Sequence, residues 1–345
     1  VGDDRACARR DLSRMARTAF VTGATGFVGS NLCEELLAQG WRVIAMHRAD
    51  LEPGLLSTLP VERVVGDVTD YRSLRAAMPT QVDAVFHVAG NTSLWARQRV
   101  EQLRVNVKGT RNVVRAALDS RARRLIHTSS LVAYGLNGGT VTEETPPRGL
   151  GSTIAYVRTK ALAEREIRQG ISKGLDAVIL NPGHVIGRYD LRNWSRVFRM
   201  VDAGQLPTVP GGGGSFCHVH SVVRAHVAAV ERGRAGSNYV LGGADSSYIG
   251  LVRMVARLRG QRPRLLPLPL AALKALARVD ELVSPLIGRE PDLTGDAIAL
   301  LSTNLYCRNT RAVSELGYEP RPLIEILDDC HRWLIDSGRL KPPPR

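Results

Sequence analysis

From Thr18 onward, short runs of β-branched and apolar residues alternate with stretches whose apolar positions recur every three or four residues. The runs TAFVTG, WRVIAM, VERVVGD, DAVFHVAG, RLIHTSS and DAVILNPG read as six buried strands. Helical periodicity fills Val28–Gln39, Tyr71–Met78, Val100–Asp119 and Ala155–Gln169 between them. Two parallel strands need a crossover to join them, so this rhythm predicts an α/β fold, a doubly wound parallel sheet with helices on both faces. After Asn181 the rhythm changes. RYDLRNWSRVFRM and GQLPTVPGGGGS bring in aromatics, glycines and prolines; SVVRAHVAAVERG reads as a helix, NYVLGG as a strand, and Ile249–Leu258 and Leu270–Ile287 as long helices. The expected division is a larger domain over residues 15–181 and a smaller lobe over 182–338, interleaved with segments that return to the main sheet. Gly211–Gly214 reads as a flexible loop. Residues 1–14 are expected to be a disordered extension ahead of a natural start at Met15, and residues 339–345 a frayed tail.

Composition removes several function classes. No run approaches the roughly 18–20 apolar residues of a membrane span. The greasiest, LLPLPLAALKALA, is broken by prolines and Lys274. The first residues carry charges but no apolar core of a secretion signal. Five cysteines (Cys7, Cys33, Cys217, Cys307, Cys330) are scattered, odd in number and without a CxxC pair. They indicate neither a disulfide framework nor a metal site, and a reducing, cytoplasmic setting is expected. The net charge of +14 comes from arginines spread along the chain, with no basic block or aromatic-interleaved patch, so nucleic acid is not the expected partner. A small anionic ligand, such as a phosphorylated cofactor, would still be attracted.

FVTGATGFVGS sets Gly23, Gly26 and Gly29 directly after the first strand and at the mouth of a helix. In that context the first glycine allows the tight turn, the second lets backbone approach a pyrophosphate and the third lets the helix pack closely, with its N-terminus facing the negative charge. This makes the first domain a Rossmann-type NAD(P)-binding unit. The end of the second strand selects the cofactor. VIAMHRAD has His47 and Arg48 where an acid would bond a ribose 2′-hydroxyl; an arginine can instead hold a 2′-phosphate. NADP(H) is favoured, and Asp50 keeps NAD(H) open.

IAYVRTKALAE carries Tyr156 and Lys160 four residues apart, on one helix face. The chain holds only five lysines against forty-two arginines. An ammonium beside a phenol favours the phenolate and lowers its pKa, and it is a point donor that arginine does not reproduce. The pair opens the helix between the fifth and sixth strands. HTSSLVAYG ends the fifth strand, where ligands of such sheets gather, and offers Ser130, with Ser129 as the alternate, to hold a carbonyl oxygen.

In family order, TGATGFVGS, GDVTD, FHVAG, VNVKGT, TSS, YVRTK and NPGHVIG resemble the extended short-chain dehydrogenases/reductases, also called the NAD-dependent epimerase/dehydratase family, from about Arg17 to Leu334. The resemblance implies a catalytic set of Ser130, Tyr156 and Lys160, with Asn106 holding its helix and a proton-relay water. It implies a cofactor lying against Gly23, Thr25, Gly26, Phe27, Val28 and Gly29, with Asp67 and Val68 at the adenine edge. Val88, Ala89, Gly90 and Thr128 would line it, and Pro182 and Val185 would abut the nicotinamide. YVRTKALAE is similar to the dihydroflavonol-reductase and hydroxysteroid-dehydrogenase branch. Leu131 and Val132 stand where the dehydratases carry Asp-Glu. The sequence departs from the family at HVHS, where His220 and Ser221 replace two acids; Ser221 can still cap the helix. Asn91, Ser93, Trp95, His184 and Trp194 are candidates to meet a small-molecule substrate. The expected activity is NADP(H)-dependent reduction of an aldehyde or ketone, with Tyr156 as proton donor. The alternative is an NAD-dependent nucleoside-diphosphate-sugar epimerase, for which Arg188, Arg192 and Arg196 could grip a diphosphate; a non-catalytic NADP-sensing protein is a third reading. By family analogy the chain is expected to form a homodimer through Val100–Asp119 and Ala155–Gln169.

Overall fold

The computed structural model describes residues 16–50, 54–136, 138–204, 206, 208–262 and 268–343. The expected N-terminal extension and Met15 lie outside them, as do the last two residues of the tail. The chain runs β1 (Thr18–Thr22), α1 (Phe27–Ala38), β2 (Arg42–His47), β3 (Glu62–Val65), α2 (Tyr71–Ala77) and β4 (Ala84–His87). A long helix follows, α3 (Arg99–Gln102) passing through a π-helical stretch, Leu103–Lys108, into α4 (Gly109–Asp119). Then come β5 (Leu125–Thr128), β6 (Thr140–Val141), α5 (Ala155–Ile171) and β7 (Ala177–Pro182).

Every pairing in the seven-stranded sheet, ordered β10-β7-β5-β4-β1-β2-β3, is parallel. Its last strand, β10 (Asn238–Leu241), returns from the second half of the chain beside β7. The inner strands are buried on both faces, which is why they read as continuous apolar runs rather than alternating ones; β3, at the sheet edge, corrects the expectation of six buried strands, because it has one neighbour and is mostly exposed. Ala19 and Val21 face one core with Leu32 and Leu36 of α1; Phe20 faces the other with Leu74, Val113 and Ile167 of the opposite helices. Strand order reverses between β1 and β4. The crevice at their carboxyl ends is where such sheets bind ligands.

The second sheet, β11-β9-β12-β6, carries β8 (His184–Ile186) on β9 (Gly213–His218). β11 (Ala244–Ser247) is antiparallel to β9, and β12 (Asn304–Cys307) is parallel to it. The intervening and terminal helices are α6 (Arg196–Asp202), α7 (Val219–Arg232), α8 (Tyr248–Leu258), α9 (Leu270–Val283), α10 (Gly295–Leu301) and α11 (Leu323–Asp336). Apolar side chains of α6, α8 and α11 pack on Ile186 and Phe216 of this sheet.

Two local expectations are corrected here. The glycine run is not a flexible loop: Gly212, Gly213 and Gly214 are buried, and the last two open β9. A side chain at Gly212 would press on the Leu301 carbonyl and one at Gly213 on the Tyr306 hydroxyl. Nor does Ser221 cap α7. His218 accepts from the His220 amide at 3.2 Å, and Ser221 is buried within the helix.

Candidate active site

The turn after β1 is built at the limit of backbone approach. Gly23 has φ +71°, and a Cβ there would lie 2.5 Å from the Ala89 amide nitrogen. A Cβ on Gly29 would lie 2.1 Å from the Gly23 carbonyl oxygen. Gly23 and Gly29 therefore seat α1 on the end of β1 and against Val88 and Ala89. Gly26, exposed, precedes the first helical residue without a side-chain cap, so the α1 amides face outward with Thr25, Phe27 and Val28 partly exposed around them. Free amides at a helix start beside bare glycine backbone fit a pyrophosphate. At the end of β2, Arg48 is exposed and pairs with Asp50 at 3.3 Å, while His47 Nδ1 lies 3.0 Å from the Arg48 carbonyl oxygen. Asp67 accepts from the Thr69 amide at 2.7 Å, and Val68 is buried beneath it.

The second group gathers at the carboxyl ends of β4, β5 and β7. The Ser130 hydroxyl lies beside the Tyr156 phenol, near enough to favour its ionised form. One helical turn on, the buried Lys160 ammonium donates to the Thr128 carbonyl at 2.9 Å. A Cβ on exposed Gly90 would stand 3.4 Å from Lys160 Nζ and 3.5 Å from Asn106 Oδ1, so that glycine leaves both groups approachable. Asn106 sits in the π-helical stretch. Its side chain accepts from the Asn91 amide (2.7 Å) and donates to the Asn91 carbonyl (2.9 Å) and the Thr159 hydroxyl (3.1 Å). It thereby ties the strand-end loop to the Tyr156 helix. The wider turn at Leu103–Lys108 is a local irregularity of the kind that re-aims a side chain.

The electrostatics depart from the expected direction at tyrosine. Burial raises the Tyr156 phenol above its ordinary 10, and the Ser130 hydroxyl opposes it without reversing it. Burial lowers the Lys160 ammonium to about 8, with the Glu164 carboxylate pulling it back up. The expected lowering of the phenol by Lys160 is not the balance these residues strike.

Glu164 is the functional neighbour that sequence reasoning missed. It is buried one turn beyond Lys160. It accepts from the Ser129 hydroxyl (2.5 Å), from Asn181 (2.6 Å) and from Asn238 (3.1 Å). Asn181 also donates to the Ser130 carbonyl at 3.1 Å. Ser129 is thus engaged by this network, and Ser130 alone of the two serines meets Tyr156. The i, i+4 spacing of Lys160 and Glu164 was a usable signal; nothing in the sequence announced Asn238, which arrives on β10. Below the site, His226 Nε2 lies 2.8 Å from the Thr128 hydroxyl oxygen, and His87 bridges the Thr22 and Thr110 hydroxyls at 2.9 Å each. Burial holds His226 at about 4 and His87 at about 3, and carries His127 well below the ordinary range.

The candidate substrate residues separate into two places. Asn91 and Ser93 lie on the loop leaving this cluster: the Ser93 amide donates to Asn91 at 3.0 Å, and the Ser93 hydroxyl donates to Glu290. Trp95, partly buried, follows with Arg97 over its ring. His184 and Trp194 belong instead to an aromatic cluster with Phe216 and Tyr248. There His184 Nε2 lies 2.9 Å from the Tyr248 hydroxyl, and Trp194 stacks on Tyr248. Pro182 ends β7, buried, and Val185 packs on the main core. Of the three arginines considered for a diphosphate, Arg188 is committed to Glu34 and Asn31, and Arg196 to Asp292.

This geometry is that of an enzyme of the short-chain dehydrogenase/reductase type, an NAD(H)-binding class. Residues 19–242 match the NAD dependent epimerase/dehydratase family, and the chain belongs to that family. It is 33% identical over 336 residues to a putative dihydroflavonol 4-reductase of Synechocystis sp., covering 95% of this chain and 97% of the relative. It is 31% identical to sterol demethylase protein B of Methylococcus capsulatus, covering 94% of this chain and all of the relative. Among solved structures, the crystal structure of gox2253 superposes with a TM-score of 0.81 at 32% identity, covering 94% of this chain and 99% of that one. These relatives agree with the extended, reductase-like branch. No helix among the described residues is long and apolar enough to cross a membrane, and no group of residues there could hold a metal ion.

Proposed function

We propose that the chain is an NADP(H)-dependent carbonyl reductase. The observation that carries the reading is the Ser130–Tyr156 hydroxyl pair one turn from buried Lys160, beside the glycine turn that fits a dinucleotide. A nicotinamide cofactor bound there supplies hydride to a carbonyl carbon. The Ser130 hydroxyl fixes the carbonyl oxygen, and Tyr156 donates a proton to it. The raised phenol pKa suits this direction, because it keeps the donor loaded at neutral pH. Once the proton has left, the Lys160 ammonium stabilises the phenolate. Lys160 titrates near 8, so reduction should decline as pH rises through that value and the ammonium is lost.

Arg48 supports the phosphorylated cofactor. Its ion pair with Asp50 is exposed, and a 2′-phosphate can displace the carboxylate as an accepting partner. The epimerase alternative is weakened because Arg188 is held by both Asn31 and the partly buried Glu34. The test is Tyr156→Phe assayed against a panel of aldehydes and ketones. NADPH affinity should hold while turnover falls by about 100-fold or more. Turnover near that of the unmodified protein would end the proposal. For the cofactor, Arg48→Ala should weaken NADPH by about tenfold and leave NADH unchanged.

A further inference from the structure

Six of the thirteen large apolar side chains that stand exposed among the described residues lie between Leu270 and Leu286. The concentration has a pattern. Leu276, Val279, Leu282 and Val283 fall at i, i+3, i+6 and i+7 of α9, and Leu286 continues the stripe into the turn that follows, with Leu282 71% and Leu286 83% exposed. The opposite face already has its partner: Leu273 and Ala277 are buried against Ile298 of α10. The helix is therefore apolar on two sides, and only one is covered by the described residues. Along one flank of the uncovered stripe stand Lys274 and Arg278, exposed and without an ion pair among the described residues. Arg289, at the end of the helix, is by contrast tied to Asp280 and Asp292.

We propose that α9 is an interfacial helix that docks this protein on an anionic phospholipid surface. Its Leu276–Leu286 stripe enters the acyl boundary, and Lys274 and Arg278 meet the phosphates. An apolar stripe with basic residues on its flank is the arrangement that lies in a bilayer interface without spanning it. Charge selects lipid over a second copy of the chain. Two copies packed face to face would bring Lys274 and Arg278 toward their own equivalents, on a protein of net charge +14, whereas an anionic surface attracts all of that charge. The location is also specific. The segment after α9 is fastened to the loop that leaves the catalytic cluster: Ser93 donates to Glu290, and the Thr294 hydroxyl donates to the Leu94 carbonyl at 2.8 Å. The docking face and the Asn91–Trp95 loop form one connected unit. The inference stands independently of which carbonyl compound is reduced.

The experiment is co-sedimentation of the full chain with vesicles of mixed phosphatidylglycerol and phosphatidylcholine, and with phosphatidylcholine alone, at low and high salt. Binding is expected to the mixed vesicles, weakened by salt. Val279→Asp with Leu282→Asp should reduce it by about tenfold or more, since two exposed side chains would now carry charge into the boundary. Lys274→Glu with Arg278→Glu should abolish the preference for anionic lipid. Both pairs are surface changes and should keep the melting temperature and NADPH binding, which separates lost docking from lost folding. A chain that stays in the supernatant with every vesicle overturns the proposal. So does sedimentation undiminished in the Val279→Asp/Leu282→Asp protein. If light scattering shows that this pair dissociates an oligomer while the unmodified chain ignores vesicles, the face belongs to a second copy and the lipid assignment fails.

Discussion

In the turn from Gly23 to Gly29 the absent side chains bring backbone to backbone and leave one glycine, Gly26, open to a ligand; in the run from Gly211 to Gly214 the protein itself fills nearly all the space. Both stretches look alike as composition. The first lies between a strand and a helix start, and the second follows two prolines, Pro207 and Pro210. A Cβ on Gly214 would sit 2.6 Å from the His184 ring, inside the aromatic cluster, whereas one on Gly26 would meet only the Gly23 carbonyl at 3.2 Å. The contrast teaches that a glycine's reason is set by what approaches it, and only one of these two approaches is written locally.

The comparison can be broken most severely at Gly29. Alanine there would place a methyl carbon 2.1 Å from the Gly23 carbonyl oxygen, and neither backbone can retreat without separating α1 from β1. Gly29→Ala should cost about 3 kcal/mol or more, at the upper end of overpacking, and yield little folded protein. A melting temperature within a few degrees of the unmodified chain's would show that the turn is looser than its geometry.

Acid tests the two halves next. His87, His127 and His226 are buried beneath the first-half site, and all three titrate below the ordinary 6.5. A histidine whose folded pKa is depressed favours the neutral form, so its contribution is whole above the unfolded value and is lost as pH falls below it. Between pH 7.5 and 5 His87 and His226 should each forfeit about 2 kcal/mol, and His127 acts in the same direction. Urea midpoints measured from pH 7.5 to 5 should fall steeply below 6.5. The triple replacement of these histidines by Asn or Gln, where it folds, should flatten that slope. A flat profile in the unmodified chain would mean the three are hydrated or already charged.

Gly214→Ala and Gly26→Ala then form an opposed pair. The first should destabilise by about 1–3 kcal/mol through the His184 ring, with NADPH affinity unchanged. The second should hold its melting temperature and, on the cofactor placement proposed above, weaken NADPH by about tenfold, because its methyl group would stand where a pyrophosphate meets backbone. Calorimetric melting and fluorescence titration on both proteins check the crossing. Parallel losses in both would erase the distinction.

How far this was legible follows from how far each signal reaches along the chain. β1, β4 and β5 could be read because a strand buried on both faces writes its burial into consecutive residues. Tyr156 and Lys160 could be paired because helical spacing is local. The partners of Glu164 could not be read: Ser129, Asn181 and Asn238 lie 35, 17 and 74 residues away, and only the sheet order brings β10 to β7. The direction of the Tyr156 shift was hidden for the same reason, since burial is made by elements distant in sequence. The closed space around Gly212–Gly214 depends on Leu301, Tyr306 and His184 and could not be inferred from the run itself.

The finest test lies at the one member of the second run that escapes this packing. A Cβ on Gly211 would meet none of the described residues within 4 Å, and its φ lies outside the left-handed region. The expectation that the run is a loose connection therefore survives at this position alone. An alanine here costs the folded chain nothing and removes freedom from the unfolded one. Gly211→Ala should accordingly stabilise by about 0.4–1 kcal/mol, opposite in sign to Gly214→Ala three residues on. Chemical denaturation of the two single variants and the double variant resolves a difference of that size. If Gly211→Ala instead destabilises, the approach to β9 is as tightly specified as the strand, and the boundary between connection and packed strand must be moved back by at least one residue.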